Sequence, residues 1–302
     1  MIRIADSHVH IFGQEKTAGI QAFNRAFTRT FDNMAHFVDG LPEHFDAPHY
    51  LEHAKAHGVE VAINLPVARW HYDEAKVREL NIKSAELVAD NPGEIYSFGS
   101  INPRRPIAEI KPALDEIVAL GLLGVKLHPI DDMGNEALGF VRYQQFDPAD
   151  PDMDDVYRAI ADRGLRIFWH AGSPIIGDRK YNATPPKLRV IYDRFFQGMP
   201  MELAHAWGQF ESWDEIVKYL ADLELVNGDL AYTQFGFFKV PLTEVIRVMG
   251  AGRLRFGVDF PFMSVNKALE GFEQMAQGIT QEDRDKILYG NAVRHFGLDL
   301  PG

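Results

Sequence analysis

The sequence has 302 residues, of which 46% are hydrophobic and 25% are charged, and this composition excludes a disordered chain and fits a globular protein with a large core. The 31 Lys and Arg residues against 43 Asp and Glu residues give a formal net charge of −12, which argues against nucleic acid or an anionic membrane as a partner. A small molecule is therefore the expected partner.

The absence of cysteine limits the chemistry of any metal site. Without thiols the chain can form neither a disulfide framework nor a thiolate zinc site, so a metal ion would be held by histidine and carboxylate ligands. The N-terminus carries no apolar segment typical of a secretion signal, and no window approaches the roughly 18 apolar residues of a membrane span. We therefore expect a cytoplasmic enzyme.

The hydrophobic pattern predicts eight strands that alternate with helices. The first strand ends in the sequence Asp6-Ser7-His8-Val9-His10, and a long aromatic loop at 11–47, expected to be partly helical, follows it. The later strands are predicted at 59–65, 95–101, 122–129, 165–170, 200–205, 223–227 and 254–259. Helices are predicted at 49–57, 73–89, 106–120, 153–162, 212–220, 242–249, 266–276 and 282–296, with one more between strands five and six.

This alternation predicts a parallel sheet with helical crossovers, and eight such units close into a (β/α)8 TIM barrel with an extended loop after strand one. No linker, internal repeat or low-complexity tract divides the chain, so residues 1–302 are predicted to form one domain. In such a barrel the active site lies where the strands end and pass into the following loops.

The end of the first strand is the first candidate for a metal site. Successive side chains of a strand point to opposite faces, so Asp6, His8 and His10 leave the backbone on one side. Two imidazoles two residues apart on one face can bind a single metal ion through neutral ring nitrogens. On these residues alone, His8 and His10 also fit ordinary polar side chains at a strand end.

Ionisable residues recur at the ends of other predicted strands. Most remaining strand residues are apolar, and buried polar groups are costly unless they are paired, so a collection of ionisable groups at one rim indicates a functional site. The set consists of His8, His10, Lys126, His128, His170, His205 and Asp259.

Six motifs, in this order, resemble the amidohydrolase superfamily and, within it, the amidohydrolase 2 branch that is related to aminocarboxymuconate semialdehyde decarboxylase. Each motif is weak alone, but the ordered set covers almost the whole chain. The motifs are Asp6-Ser7-His8-Val9-His10, Gly124-Val125-Lys126-Leu127-His128-Pro129, His170-Ala171-Gly172, Leu203-Ala204-His205-Ala206-Trp207-Gly208, Phe256-Gly257-Val258-Asp259-Phe260-Pro261-Phe262 and Ile287-Leu288-Tyr289-Gly290-Asn291-Ala292.

The resemblance implies one divalent metal ion bound by His8, His10, His170 and Asp259, with His205 as general acid/base. Such ligands suit Zn²⁺, with Mn²⁺ or Fe²⁺ as alternatives, and an open coordination position would lower the pKa of a bound water. Asp259 would then also accept the proton of the attacking water, while His205 stabilises the oxyanion or protonates the leaving group. The alternatives are a loop-capping role for Asp259 and a satisfied core position for His205.

Four further residues are candidates for substrate binding. Lys126 and His128 share one face of the fourth strand and are assigned to a substrate anion, with a structural ion pair as the alternative. In other branches of the superfamily a carbamylated lysine at this strand bridges two metals, but the resemblance is to the mononuclear branch. Arg69 can clamp a substrate carboxylate or be solvated, and Trp207 can stack on a planar substrate or pack against its neighbours.

The branch contains hydrolases, hydratases and non-oxidative decarboxylases with the same metal ligands, so fold and ligands do not choose among them. His170-Ala171-Gly172 resembles the hydrolase members, and hydrolysis of a small lactone, ester or amide is the first prediction. The alternative is lyase chemistry, decarboxylation or hydration, on a small unsaturated or aromatic carboxylate. A barrel that only binds ligands would lack one of the metal-binding positions, and all are present. A homodimer is the default expectation.

Overall fold

A computed structural model describes residues 3–30, 37–131, 135–136, 139–140, 143–144, 146–172, 182–208, 211–233 and 240–299. Parallel strands alternate with helices in these residues, and the predicted (β/α)8 barrel is confirmed. Residues 31–36 of the predicted aromatic loop, and parts of the segments that follow predicted strands four and five, lie outside the described residues. The strands are β1 (Ile4–Val9), β2 (Val59–Asn64), β3 (Ile95–Ser97), β4 (Gly99–Ser100), β5 (Gly124–Leu127), β6 (Ile130–Asp131), β7 (Asn135–Glu136), β8 (Gly139–Phe140), β9 (Tyr143–Gln144), β10 (Arg166–Trp169), β11 (Met201–Leu203), β12 (Val226–Asp229) and β13 (Leu254–Arg255).

Helices follow most of the barrel strands, and polar side chains cap several of them. Asp46, Asp73 and Ser212 each accept a hydrogen bond from a backbone amide in the first turn of the helix that follows. The helices are α1 (Gln14–Thr30), α2 (Ala47–Ala56), α3 (Glu74–Asp90), α4 (Ile107–Ala119), α5 (Asp154–Ala161), α6 (Pro185–Ile191), α7 (Trp213–Leu220), α8 (Leu242–Met249), α9 (Val265–Met275), α10 (Gln281–Asp285) and α11 (Asn291–Phe296).

The third strand of the barrel is interrupted at Phe98, and it joins two sheets. Its first part, β3, pairs with β2 in the order β1-β2-β3, and its second part, β4, pairs with β5 in the order β4-β5-β10-β11-β12-β13. The amide of Phe98 donates to the carbonyl of Asn64 over 3.0 Å, which continues the pairing through the interruption. The remaining strands, β6 with β9 and β7 with β8, form two short antiparallel ribbons.

The first and last strands of the barrel are joined by hydrogen bonds beyond the regular part of β13. The amide of Ser7 donates to the carbonyl of Phe256 over 3.0 Å, and the amide of His10 donates to the carbonyl of Phe260 over 2.7 Å. This parallel pairing sets the register between the His8 segment and the Asp259 segment. Two stretches at opposite ends of the sequence are thereby held side by side.

Aromatic side chains fill the interior of the barrel. Phe98 packs edge-to-face against Phe168, with ring centroids 5.3 Å apart, and against Phe296 of α11, at 5.8 Å. Near the start of β11, the buried Glu202 pairs with the buried Arg255, which also contacts Nδ1 of His295 in α11 over 2.9 Å. The C-terminal helix therefore packs against the end of the barrel where the strands begin.

Strands seven and eight differ from their predicted positions. Strand seven was predicted at 223–227 but is observed as β12, Val226–Asp229, because the amide of Val226 donates to the carbonyl of Leu223 and closes a turn after α7. Strand eight was predicted at 254–259 but is regular only in β13, because the amide of Phe256 donates to Ile287 rather than to a neighbouring strand. The last predicted helix is divided into α10 and α11 by a π-helical turn at Lys286–Gly290.

No helix among the described residues is long and apolar enough to cross a bilayer. The prediction of one domain over residues 1–302 stays a prediction.

The close approach of β5 to β10 requires a glycine at position 124. Gly124 has φ +156°, and a β-carbon there would lie 2.4 Å from the carbonyl oxygen of Arg166 and 2.9 Å from the ring of Phe98. We expect Gly124→Ala to lower the free energy of unfolding by about 3 kcal/mol, measured by urea denaturation, because it adds a clash to an unfavourable backbone conformation. Gly121→Ala is the control: φ is +67° with nothing within 4 Å, and the expected loss is about 1 kcal/mol. Equal losses would contradict this account of β5.

Candidate metal centre

Polar side chains meet at the mouth of the barrel where the strands end. His8 lies in β1 and Asp229 is the last residue of β12. His10, His170 and His205 lie in the first residues after β1, β10 and β11, and Asp259 follows the irregular continuation of β13. The fold therefore brings residues from five strand ends to one place.

Three of the four predicted metal ligands lie in direct proximity. Nε2 of His8 is 3.3 Å from Nε2 of His10, and Oδ1 of Asp259 is 3.5 Å from the first and 3.3 Å from the second. Within the described part of the chain, the ligand atoms of these three residues form a group that could hold a metal ion. Two segments that are about 250 residues apart in the sequence supply it.

The hydrogen bonds of the two imidazoles decide which ring nitrogens carry lone pairs. Nδ1 of His10 is 2.7 Å from the carbonyl oxygen of Leu65, which can only accept, so this nitrogen donates. Nδ1 of His8 is 3.0 Å from Oδ2 of Asp229, and because a carboxylate oxygen accepts, this nitrogen also donates. Burial lowers the pKa of His8 well below its usual value, so its ring is neutral. Nε2 of His8 therefore carries a lone pair, and so does Nε2 of His10 when that ring is neutral, and both face the carboxylate of Asp259.

Such a group of three electron-rich atoms fits a cation. Neither two bare ring nitrogens nor a bare nitrogen and a carboxylate oxygen can hydrogen-bond each other, so contacts of 3.3–3.5 Å are repulsive unless a positive charge lies between them. Nitrogen and carboxylate ligands with hydrogen-bonded outer nitrogens are the usual setting of a divalent transition metal ion. The residues present therefore fit the predicted metal.

Asp229 is a site residue that the sequence analysis missed. Its Oδ1 accepts hydrogen bonds from the amides of His205 and Ala231, at 3.1 and 2.9 Å, while Oδ2 faces His8. The predicted strand seven ended at Asn227, two residues too early, so Asp229 fell into a loop. If the predicted strand had been extended by two residues, which is one period of the side-chain alternation, this carboxylate would have been placed at a strand end with the other candidates.

Asp6 was predicted to share a face with His8 and His10, but no role was assigned to it. It is fully buried and accepts hydrogen bonds from the hydroxyl of Tyr50 and the amide of Val258, both over 2.9 Å. Burial raises the pKa of Asp6 to about 8. Its carboxyl group links β1 to the segment that precedes Asp259, and so supports the register between these two segments.

His205 and His170 form a second pair of site histidines, in addition to His8 and His10. Nδ1 of His205 donates to the carbonyl of Ala231 over 2.9 Å, and its Nε2 lies 3.1 Å from Nδ1 of His170. With a neutral His205 this contact is a hydrogen bond from His170, which leaves Nε2 of His170 free to bind a metal. In the described residues, His170 is not part of the group formed by His8, His10 and Asp259, and its predicted role as a ligand stays a prediction.

The backbone that carries His205 is unusual. His205, Ala206 and Trp207 have φ values of +58°, +52° and +67°, which is three consecutive non-glycine residues in the left-handed region. This conformation costs roughly 1–2 kcal/mol per residue. The amide of His205 donates to the side chain of Asp229 and the amide of Ala206 to its carbonyl, which offsets part of that cost. No sequence pattern signals such a turn in residues of these types.

Lys126 lies fully buried at the end of β5. Its Nζ is 4.6 Å from the ring centroid of Phe168 and has no hydrogen-bond partner among the described residues. Burial lowers the pKa of Lys126 to about 8, although the charges of Asp229 and Asp259 oppose this shift. His128, predicted to act with it, stacks on His170 with ring centroids 3.9 Å apart. A buried ammonium group without a hydrogen bond is available to an anion.

Comparison with known proteins assigns the chain to a family. The family model Amidohydro_2, described as amidohydrolase, matches residues 5–298. The chain belongs to the amidohydrolase family. The resemblance that the six motifs indicated is thereby confirmed, and the protein is an enzyme of this family.

Curated relatives of this amidohydrolase are similar over part or most of its length. A γ-resorcylate decarboxylase from Polaromonas sp. strain JS666 is 30% identical over 119 residues, which is 38% of this chain and 36% of that protein. A γ-resorcylate decarboxylase from Rhizobium sp. strain MTP-10005 is 22% identical over 291 residues, which is 81% of this chain and 85% of that protein.

Solved structures share the fold of the amidohydrolase. An uncharacterised TIM-barrel protein from Bordetella bronchiseptica has a TM-score of 0.73 at 19% identity and covers 98% of this chain and 99% of its own. A dihydroxybenzoic acid decarboxylase from Polaromonas sp. JS666, with bound manganese and the inhibitor 2-nitroresorcinol, has a TM-score of 0.66 at 17% identity and covers 99% and 98%. A candidate 2-pyrone-4,6-dicarboxylic acid hydrolase from Pseudomonas putida has a TM-score of 0.64 at 17% identity and covers 100% of both chains.

The two remaining candidates for substrate binding in the amidohydrolase lie in different surroundings. Arg69 is partly exposed in the loop after β2, where the amide of Ala68 donates to Ser100 over 2.9 Å. Trp207 is fully buried, and its indole nitrogen donates to the carbonyl of Val226 over 3.3 Å, at the beginning of β12. A β-carbon at Gly228 would lie 2.9 Å from the ring. This packing argues against the predicted contact of Trp207 with a substrate and favours the structural alternative.

The buried ammonium group of Lys126 should reduce the stability of the amidohydrolase. We expect Lys126→Met to raise the free energy of unfolding of the metal-free protein by about 1–3 kcal/mol at pH 7, because it removes a desolvated charge and keeps the packing against Phe168. In the wild type, Lys126 is charged in both the folded and the unfolded protein below pH 8, and neutral in both above its ordinary pKa of 10.5. The advantage of the variant should therefore be complete below pH 8 and disappear by about pH 10.5.

Lys76→Met is the control for this comparison. Lys76 is exposed and pairs with Glu79 over 2.7 Å, so its replacement should change stability by no more than about 0.5 kcal/mol. Chemical denaturation across the pH range measures both variants. A loss of stability in Lys126→Met at pH 7 would show that the charge is well satisfied in the folded state.

Proposed function

We propose that this amidohydrolase-family enzyme is a metal-dependent lyase that removes carbon dioxide from a small aromatic or unsaturated carboxylate. We base the metal dependence on one observation, the convergence of lone pairs from His8, His10 and Asp259. The choice of decarboxylation is supported by the curated relatives, which are decarboxylases. Hydrolysis was the first prediction from the sequence, and the relatives favour the lyase alternative over it.

The proposed ligands are His8, His10 and Asp259, with His170 as a fourth through its free Nε2. A divalent ion bound there supplies a positive charge that orients and polarises the oxygens of a bound carboxylate. The manganese in the structurally similar decarboxylase from Polaromonas supports Mn²⁺ for this site. Zn²⁺, the ion first predicted from the ligand types, and Fe²⁺ fit the same nitrogen and oxygen donors.

Lys126 is proposed to bind an anionic group of the substrate. Its ammonium group lies among the site histidines, and its unfavourable burial becomes favourable when an anion is its neighbour. We propose Arg69 as a contact for substrate at the rim and His128 as a wall of the pocket, stacked on His170. With these assignments we expect a carboxylate to bind in preference to a neutral substrate.

His205 is proposed to supply the proton that decarboxylation requires. The bond between the carboxylate carbon and the substrate breaks, carbon dioxide leaves, and the electron pair stays on the substrate carbon, which must then take up one proton. Nδ1 of His205 is committed to the carbonyl of Ala231, so Nε2 is the nitrogen that can hold and release that proton, and it does so when its hydrogen bond with Nδ1 of His170 opens. Asp259, which lies beside the same atoms, is the second group able to carry a proton there.

Hydrolysis of a lactone is the second candidate function. The structural similarity to a candidate 2-pyrone-4,6-dicarboxylic acid hydrolase and the His170-Ala171-Gly172 sequence favour it. The same residues would then act differently. Asp259 would accept a proton from the attacking water, and His205 would protonate the oxygen that leaves.

Product analysis with metal-stripped and metal-loaded protein tests the proposal. We expect carbon dioxide from a panel of dihydroxybenzoates and other phenolic carboxylates after loading with Mn²⁺ or Zn²⁺, and none after treatment with a chelator. His170→Ala should lose metal by elemental analysis, whereas His205→Ala should keep the metal and lose at least about 100-fold in kcat. His57→Ala, a histidine after α2 outside the site, is the control and should keep both.

Two outcomes would overturn this proposal. Acid release from a lactone panel without carbon dioxide from any carboxylate would establish hydrolysis instead. Full activity of the chelator-treated protein, or equal metal content and activity in His170→Ala and wild type, would remove the metal assignment.

A further inference from the structure

The carboxylate of Asp229 is fully buried at the end of β12, and both of its oxygens are used. Oδ2 faces Nδ1 of His8 over 3.0 Å, and Oδ1 accepts the amides of His205 and Ala231. We propose that Asp229 is a positioning residue, which fixes the tautomer of His8 for metal binding and holds the backbone turn that aims His205. This inference rests on the proposed metal-dependent function and adds to it a residue outside the ligand set.

The first part of this role concerns His8. A carboxylate oxygen accepts a hydrogen bond, so Asp229 places the ring proton of neutral His8 on Nδ1 and leaves the lone pair on Nε2, toward His10 and Asp259. His10 obtains the same tautomer from the carbonyl of Leu65, which is backbone. The orientation of His8 therefore depends on a side chain that a substitution can change, while that of His10 does not.

The second part concerns His205. Its amide is the first of three in a left-handed turn, and it donates to Oδ1 of Asp229 over 3.1 Å. The next amide, of Ala206, donates to the backbone carbonyl of Asp229 over 2.6 Å. A turn of this kind persists only where surrounding contacts stabilise it. One aspartate thus connects a proposed metal ligand to the proposed proton donor, through opposite oxygens of a single carboxylate.

Asp229, His8 and His205 form an alternative candidate metal site, because their potential ligand atoms lie within 4.8 Å of one another. The hydrogen bonds argue against this. Oδ1 of Asp229 already accepts two amides, and the ring nitrogens of His205 are used by Ala231 and His170. A metal ion would have to break several of these hydrogen bonds, so the positioning role accounts better for the geometry.

Asp229→Asn separates the positioning role from a general contribution to folding. The amide oxygen of the new side chain can still accept the amides of His205 and Ala231, so the turn keeps its hydrogen bonds. Its NH2 group would face Nδ1 of His8 and would require that nitrogen to accept. The proton of His8 then moves to Nε2, where it blocks the lone pair.

The tautomer can be measured without metal or substrate. Nitrogen-15 NMR of the metal-free protein, with the His8 signals assigned by their absence in His8→Gln, should show the proton on Nδ1 in wild type and on Nε2 in Asp229→Asn. In metal titrations against a competing chelator, Asp229→Asn should bind Mn²⁺ or Zn²⁺ about 10- to 100-fold more weakly than wild type. The unfolding midpoint of the metal-free variant should stay close to that of wild type.

Glu202→Gln is the matched control, since Glu202 is a fully buried carboxylate of the neighbouring β11 and pairs with Arg255 away from the site. It should lower stability and leave the metal affinity unchanged. Wild-type metal affinity and an Nδ1 proton in Asp229→Asn would overturn the role of Asp229 while the proposed function stands. A wild-type protein that binds no metal would overturn the proposed function, and the NMR result would still decide the tautomer.

Discussion

The repulsion between the lone pairs of His8, His10 and Asp259 is the constraint on which the candidate site depends. Two imidazole nitrogens and a carboxylate oxygen face each other at 3.3–3.5 Å, and only the barrel keeps them there. The backbone pairing of β1 with the segment at 256–260 sets their register. The carbonyl of Leu65, the residue after β2, orients the ring of His10. The scaffold thus stores an unfavourable arrangement that a cation makes favourable.

The distribution of buried charge connects this constraint to the proposed substrate. If a divalent ion binds at the proposed site, Asp229 and Asp259 together would balance its charge, and a protonated Lys126 would add one positive charge. A bound carboxylate would then restore neutrality beside the buried Lys126 and Asp229. A neutral lactone would leave the lysine charge uncompensated, so charge balance supports an anionic substrate in this pocket.

The sequence predicted the barrel well because its signals are local. The alternation of apolar runs with helical spacing, and histidines at the ends of runs, require no knowledge of tertiary contacts. Asp229 was missed because a turn at 223–225 resembles a strand, and its apolar residues gave no sign of the hydrogen bond that closes it. The left-handed turn at His205 and the burial of Trp207 behind Gly228 depend on residues from other strands. Likewise, lyase and hydrolase chemistry share one ligand set, so residue identities alone could not separate them.

Phe168 has a consequence for how such an enzyme can change over evolution. Its ring contacts two buried cations, Lys126 at the mouth with Nζ 4.6 Å away and Arg255 with its guanidinium 5.9 Å away. Replacement by an aliphatic residue would leave both positive charges without their shared aromatic partner. A substitution at this position would therefore change both the surroundings of the site lysine and the stability of the barrel, whereas a substitution in a rim loop would leave this aromatic contact intact.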